Sequence, residues 1–227
     1  MARRRFSFSS LSGELEAMTS VEGQVTNFAD LLESDDALAL GTIVHEALEL
    51  VDWRQPAEAR TLIERAIDHV NDVSAELRTQ GVALLTNFFK TPRARAIRDA
   101  AVVHQELEFL LGWPVGTTAA EGPYLHGFID CLYQDAAGGW HIVDFKTNVI
   151  ESGTLARAMA VYEPQLLIYR LATERALGAP IAETSLHFVR NREEHAYVWT
   201  KKREQEMMGQ IDRALAACRP SPTGSQV

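Results

Sequence analysis

The chain reads as an α/β fold with an N-terminal helical part, on three observations. Apolar residues recur at helical spacing through the early patterned region, then with a period of two across three successive stretches. A long helical stretch follows, and strand patterning returns after it. With 227 residues, 46% of them hydrophobic and 23% charged, the chain can bury one substantial core. The folded unit is expected over 34–218, after an irregular Ser-, Gly- and Arg-rich lead-in (1–33) and before a disordered Pro/Ser tail (219–227).

Ser34, Asp35 and Asp36 offer N-caps for a first helix reaching about Val51, with Leu38, Leu48 and Val51 on its apolar face and His45 within it. A second helix is expected over 57–77, where Leu62, Ile63, Ala66, Ile67, Val70 and Val73 recur at helical spacing, and a third over 81–89. After Pro92 and a short basic helix come three strands over 101–110, 124–133 and 140–145. The last two are joined by the turn Asp135-Ala136-Ala137-Gly138-Gly139. A long helix over 153–177 ends at Gly178-Ala179-Pro180. Short strands over 184–189 and 196–199 and a closing helix over 201–217 complete the order, without an internal repeat or second domain.

No stretch is long and apolar enough to span a membrane, and the Arg3-Arg4-Arg5 start is not followed by an apolar signal region, so a cytoplasmic setting with no membrane partner is expected. Cys131 and Cys218 are too few and too far apart for a disulfide framework or a thiolate cluster. A formal charge of −9 argues against nucleic acid on its face, yet net charge is not its distribution. Lys90, Arg93, Arg95 and Arg98 form one basic stretch, Arg190 and Arg192 a second, and Lys201, Lys202 and Arg203 a third. They line one groove or remain separate solvated faces.

The chemistry concentrates in Ile142-Val143-Asp144-Phe145-Lys146-Thr147, with Asp130 fourteen residues earlier in Gly127-Phe128-Ile129-Asp130. On a strand of period two, Asp144 and Lys146 project from one face, and a hairpin of this length brings Asp130 beside them. Two carboxylates placed together repel unless a cation separates them, which points to a hard divalent metal activating water beside an ammonium. The alternative is that one carboxylate is ion-paired to Lys146. The His45 imidazole would complete a mixed oxygen and nitrogen shell, suiting Mn²⁺ as well as Mg²⁺. Gln165 and Tyr169, four apart on the long helix, share a face on which an amide and a phenol can hydrogen-bond phosphates or the lysine.

The ordered set Gly41-x-x-x-His45-Glu46-x-Leu48, Glu106, Gly127-x-x-Asp130, Val143-Asp144-Phe145-Lys146-Thr147 and Gln165-x-x-x-Tyr169 resembles the RecB-type nuclease domain of the PD-(D/E)XK superfamily. The resemblance implies a restriction-endonuclease-like mixed central sheet flanked by helices. It makes His45, Asp130 and Asp144 the ligands of Mg²⁺ or Mn²⁺, with the Phe145 carbonyl adding an oxygen. Lys146 becomes the catalytic lysine, Gln165 and Tyr169 the motif that positions it and the DNA strand, and Glu106 a supporting residue. The four cysteines of the iron-sulfur relatives are missing, so no such cluster is expected, and the chain is more similar to the nuclease domains of RecB and AddA helicase-nucleases. There is no Gly-x-x-x-x-Gly-Lys-Ser/Thr loop for a nucleotide.

The function expected is a Mg²⁺- or Mn²⁺-dependent deoxyribonuclease, an exonuclease on single-stranded DNA in repair and recombination, working with a helicase partner or helicase domain. Tyr169, Arg93, Arg95, Lys201 and Lys202 are the expected DNA contacts. The rival readings are a catalytically silent module that binds DNA or a helicase, and a metal hydrolase of small phosphate esters.

Overall fold

The computed structural model describes residues 5–7, 35–70, 73–117, 122–148 and 155–218. Its elements are β1 (Arg5–Ser7), α1 (Asp35–Glu49), α2 (Ala59–Ala66) with a 3-10 turn (Ile67–His69), α3 (Ala75–Phe88), α4 (Pro92–Arg98), β2 (Val102–Gly112), β3 (Tyr124–Gln134), β4 (Trp140–Lys146), α5 (Leu155–Leu177), β5 (Ile181–Phe188), β6 (Glu193–Ala196) and α6 (Lys201–Ala217). The expected α/β class with a helical N-terminal part is the one found. The remainder of the lead-in and the tail 219–227 lie outside the described residues.

The six described strands form one mixed sheet. β3 is its hub. Along one edge it pairs antiparallel with β2 over its whole length, from Gly112↔Tyr124 to Val102↔Gln134. Its other edge is shared: β1 runs parallel to it at Tyr124–His126, and β4 antiparallel at Cys131–Gln134. Between these two partners, residues 127–130 leave the edge open. β4 continues parallel to β5, through the crossover that α5 provides, and β5 pairs antiparallel with β6.

Two apolar layers cover the sheet. On one face Leu125, Ile142, Leu186 and Phe188 pack with Leu166, Leu167 and Ala172 of α5 and Met207, Ile211 and Leu215 of α6. On the other, Cys131, Tyr133, Val143 and Phe145 meet α1 through Ile43 and Val44, α2 through Leu62 and Ile63, α3 through Leu85 and Phe88, and α4 through Ile97. Cys131 is buried there, and burial pushes its thiol up, away from the reactive thiolate.

The helix expected over 57–77 is broken. α2 gives way to its 3-10 turn, Val70 is extended at φ −116° and ψ 122°, and Ser74 starts a new helix by accepting from Leu77 N at 3.2 Å. The periodicity is continuous because α2 and α3 bury their apolar stripes in the same core; the punctuation is the cap. The expected third helix therefore begins at Ala75. Two other differences concern strands. Arg5–Ser7, read as irregular, joins the sheet, with Phe6 buried. The last strand is Glu193–Ala196 instead of 196–199, because an exposed edge strand tolerates charge where an apolar pattern was sought.

That edge explains Arg93. Its guanidinium is enclosed by Glu183, Glu194 and Tyr133, and its side chain is only 9% exposed. Expected as a DNA contact, it instead ties α4 to the β5–β6 edge. Burial raises the Glu194 carboxyl, but hydrogen bonds from Arg93 and His187 outweigh it and hold the pKa at about 2, below the ordinary 4.5. A depressed carboxyl stabilises the fold above its unfolded pKa and ceases to do so as pH falls through the folded value. Arg93→Ala is therefore expected to cost about 3–5 kcal/mol near neutral pH. In denaturant melts that difference should be full above about pH 5 and shrink toward pH 2.

Candidate functional site

The open edge of β3 is where the candidate residues gather. β4 follows β3 only as far as the Cys131↔Val143 pair and then diverges. At the divergence the side chain of Asp130 takes over from the backbone ladder: Phe145 N donates to Asp130 Oδ2 at 2.8 Å. An N–H and C=O of one extended residue point to the same edge, so the Phe145 carbonyl opens into the same fork.

On the opposite side of β3 the ladder is also interrupted. Gln105↔Cys131 and Leu107↔Ile129 flank a Glu106–Asp130 position that makes no ladder pair, and Glu106 stands at φ 45°. A non-glycine residue in the left-handed region is strained, and here the strain coincides with the site. Leu125 and Ile129 face the α5 layer, whereas Cys131 and Tyr133 face the α1–α4 layer, so β3 changes face between Ile129 and Cys131. The turn of the backbone brings Glu106 and Asp130 toward α1. There, His45 Nδ1 lies 3.6 Å from Asp130 Oδ2.

α1 reaches this position because of Gly41, one turn before His45. A Cβ at Gly41 would stand 2.9 Å from Thr147 Oγ1, inside contact distance, so the helix passes close over the end of β4. The result is a group in which one ligand atom from each of His45, Glu106 and Asp130 lies within 4.8 Å of the others. Burial, and then the negative charge of Asp130, push the Glu106 carboxyl up to about 7. A nitrogen and two carboxylates, one holding a proton for want of a counter-charge, fit a divalent cation bound through hard oxygens and an imidazole. Glu106, expected as a supporting residue, thus lies within the same group as His45 and Asp130.

Asp144 is placed differently. It is 1% exposed, and its Oδ2 lies 2.6 Å from Lys146 Nζ. Both project toward α5 from one face of β4, the pairing weighed as the alternative above. Burial and Asp130 raise the Asp144 carboxyl against the pull of Lys146. Burial also works against the charge of Lys146, but Asp144 outweighs it and raises the lysine, which stays an ammonium at neutral pH. Lys146 Nζ donates to Gln165 Oε1 at 3.4 Å, and Gln165 Nε2 donates to the Tyr169 hydroxyl at 2.8 Å. Gln165 thus links the α5 face to Lys146. The sequence reading missed Tyr162, whose ring lies under the ammonium with Nζ 4.4 Å from its centroid. Its signal was available, since Tyr162, Gln165 and Tyr169 are spaced i, i+3, i+7 on one helix face.

Tyr169 is 4% exposed and packs edge-on against Phe109 at 5.4 Å. Its hydroxyl accepts from Gln165, and its ring, expected as a DNA contact, is buried against β2. Arg95, Lys201 and Lys202 are exposed, with Lys202 Nζ 3.9 Å from Glu206.

A mixed sheet flanked by helices, split at an acidic fork with a lysine one pleat beyond, defines a restriction-endonuclease-like fold. The chain belongs to the PD-(D/E)XK nuclease superfamily, whose family model matches residues 20–220. It is similar to an ATP-dependent helicase/nuclease subunit of Alkaliphilus oremlandii, 26% identical over 157 residues covering 65% of this chain and 13% of that protein. The protein of the same name in Alkaliphilus metalliredigens is 26% identical over 191 residues, 77% of this chain and 16% of its own length. The chain thus spans less than a fifth of these relatives. A crystal structure of SSO0001 overlays with a TM-score of 0.40 at 15% identity, covering 95% of this chain and 87% of that one. Among the described residues no helix is long and apolar enough to cross a membrane.

Gly127 links the fork to the helix face. A Cβ there would lie 2.9 Å from Phe109 Cε1, and Phe109 is the ring on which Tyr169 rests. Gly127→Ala should cost about 1–3 kcal/mol in denaturant melts, as overpacking does. Phe109→Leu in the same chain should recover part of that loss, and an additive double mutant would show that the two positions do not press on one another.

Proposed function

We propose that this chain is a Mg²⁺- or Mn²⁺-dependent deoxyribonuclease domain that hydrolyses phosphodiesters, acting as an exonuclease on single-stranded DNA within, or beside, a helicase-nuclease of repair and recombination. The observation that carries the reading is the His45–Glu106–Asp130 group set beside a half-buried ammonium, Lys146. The names of the curated relatives support the helicase connection.

His45, Glu106 and Asp130 would hold the metal, with Asp144 and the Phe145 carbonyl as further oxygens at the same fork. When bound, the cation supplies Lewis-acid polarisation of the phosphate and a more acidic water. Asp130 has a second task, since its bond to Phe145 N fixes the spacing of the two strands that carry the site. Lys146 acts as a cation, because its partnership with Asp144 keeps the proton on it. It orients the attacking water and stabilises charge developing on the phosphate oxygens. Gln165 and the Tyr162 ring set the direction of the ammonium, and Tyr169 locks Gln165. Arg95, Lys201 and Lys202 are the exposed cations for the phosphate backbone, with affinity falling as salt rises.

The decisive assay is degradation of end-labelled single-stranded and duplex DNA with Mg²⁺, Mn²⁺ or EDTA. Metal-dependent loss of label that Lys146→Ala abolishes without changing Mn²⁺ binding is the expected result. Unchanged cleavage in that variant sinks the mechanism. DNA binding without cutting by any variant would instead favour the silent-module reading.

Glu106 supplies a separate check. A cation displaces the proton that its raised carboxyl retains, so Mn²⁺ affinity should climb as pH rises toward about 7 and level off above it. Calorimetric titration of Glu106→Gln should show affinity lower by about tenfold or more and a flatter pH profile. Wild-type affinity in that variant would remove Glu106 from the ligand set.

A further inference from the structure

A cavity of about 490 Å³ lies away from the fork, between the segment that follows α1, the start of α2 and the end of α3. Its apolar lining includes Trp53, Val82 and Phe89, and its exposed cations are Arg60, Lys90 and Arg98. The volume is that of a small-ligand site. Three features mark this cavity, whose Arg98 also donates to the Phe89 carbonyl at 3.4 Å. Trp53 is 6% exposed, yet its indole Nε1 has no hydrogen-bond acceptor among the described residues. α2 begins at Ala59 beside the cavity, and its N-cap Glu58 makes no side-chain cap. None of the three cations forms an ion pair with a described carboxylate, and Glu58 is the one acidic residue in the lining. Elsewhere Arg78, Arg93, Arg170 and Arg203 are all paired.

We propose that this cavity binds a nucleotide unit of single-stranded DNA, with the base against Trp53 and Phe89 and the phosphate among Arg60, Lys90, Arg98 and the start of α2. The proposal rests on the nuclease reading for the identity of the strand. A nucleotide combines in one unit a flat face that matches the aromatic lining and an anion that matches the cations. Base stacking on aromatic rings is tolerant of sequence, as a strand-holding contact requires. A helix N-terminus flanked by cations is a ready anion site. An acidic peptide would need two separate side chains to meet the same demands. The cavity is also in mechanical contact with the fork. Trp53 packs edge-on to Phe88 at 6.2 Å, and Phe88 packs at 5.2 Å on Phe145, whose N–H binds Asp130.

The test is quenching of tryptophan fluorescence by a short oligothymidylate in EDTA, where nothing is cut. The whole chain is expected to be quenched, and Trp53→Phe to lose most of that signal. Lys90→Glu with Arg98→Glu, both exposed, should weaken binding about tenfold or more and lower the salt slope by about 0.7 for each cation. Unaltered affinity and slope in the double variant would overturn the proposal. So would Trp53 quenching by an acidic, Phe-containing peptide in the absence of any by oligothymidylate. A chain that fails to cleave DNA with any metal but still shows the expected quenching loses the nuclease reading alone. One that cleaves normally with both glutamates in place and shows no Trp53 quenching loses only this one.

Discussion

One hydrogen bond organises the site: the Asp130 carboxylate accepting from Phe145 N. A β-hairpin whose strands stayed paired to their ends would bury Asp130 and Phe145 in an ordinary ladder and leave no room for a ligand. Here the side chain substitutes for the backbone acceptor, so the strands can part without leaving the Phe145 N–H unsatisfied. The same bond holds one Asp130 oxygen at the mouth of the fork, next to His45 and Glu106. Structural and chemical demands therefore fall on one carboxylate, and the strain of Glu106 is tolerated because β2 and β3 remain in register on both sides of it.

The two faces of the sheet divide the work. His45 and Glu106 reach the fork from the side of α1, where the apolar layer is built of short helices. Asp144 and Lys146 belong to the α5 side, where a long helix supplies Tyr162, Gln165 and Tyr169 from a single face. The fork is the place where an open strand edge lets both sets approach. This is why the aspartate and the lysine can form a tight pair without closing off the group around Asp130.

Local patterns made part of this legible. The period of two in β3 and β4, the Asp135–Gly139 turn and the spacing of Gln165 and Tyr169 are short-range signals, and each corresponds to an observed element or contact. Gly41 takes its meaning from Thr147, a neighbour distant in sequence that leaves little room for a Cβ. What stayed hidden depends on partners distant in sequence. Arg93 looks like a surface cation until β5 and β6 bring Glu183 and Glu194 to it. The position of Glu106 in the cluster follows from a left-handed backbone turn that its residue type does not announce. The break before α3 was obscured by a continuous apolar pattern, because helices joined by a short extended link can share one core face.

The distribution of charge reconciles an acidic chain with an anionic ligand. Several arginines are internal ties: Arg93 to the β5–β6 edge, Arg170 from α5 to Glu204, Arg203 from α6 to Glu163. Those pairs carry no net charge, so the surplus of −9 lies on other carboxylates, and screening limits the reach of each to about 10 Å in ordinary salt. What an approaching phosphate encounters is the local surface. Around the cavity beside Trp53, three cations stand without described ion-pair partners, while the fork sets the carboxylates of Glu106 and Asp130 beside His45. An acidic fork repels a strand until a cation occupies it, whereas the cation-rimmed cavity attracts one at all times. Net charge constrains neither region, because each is governed by the few groups within a screening length of it.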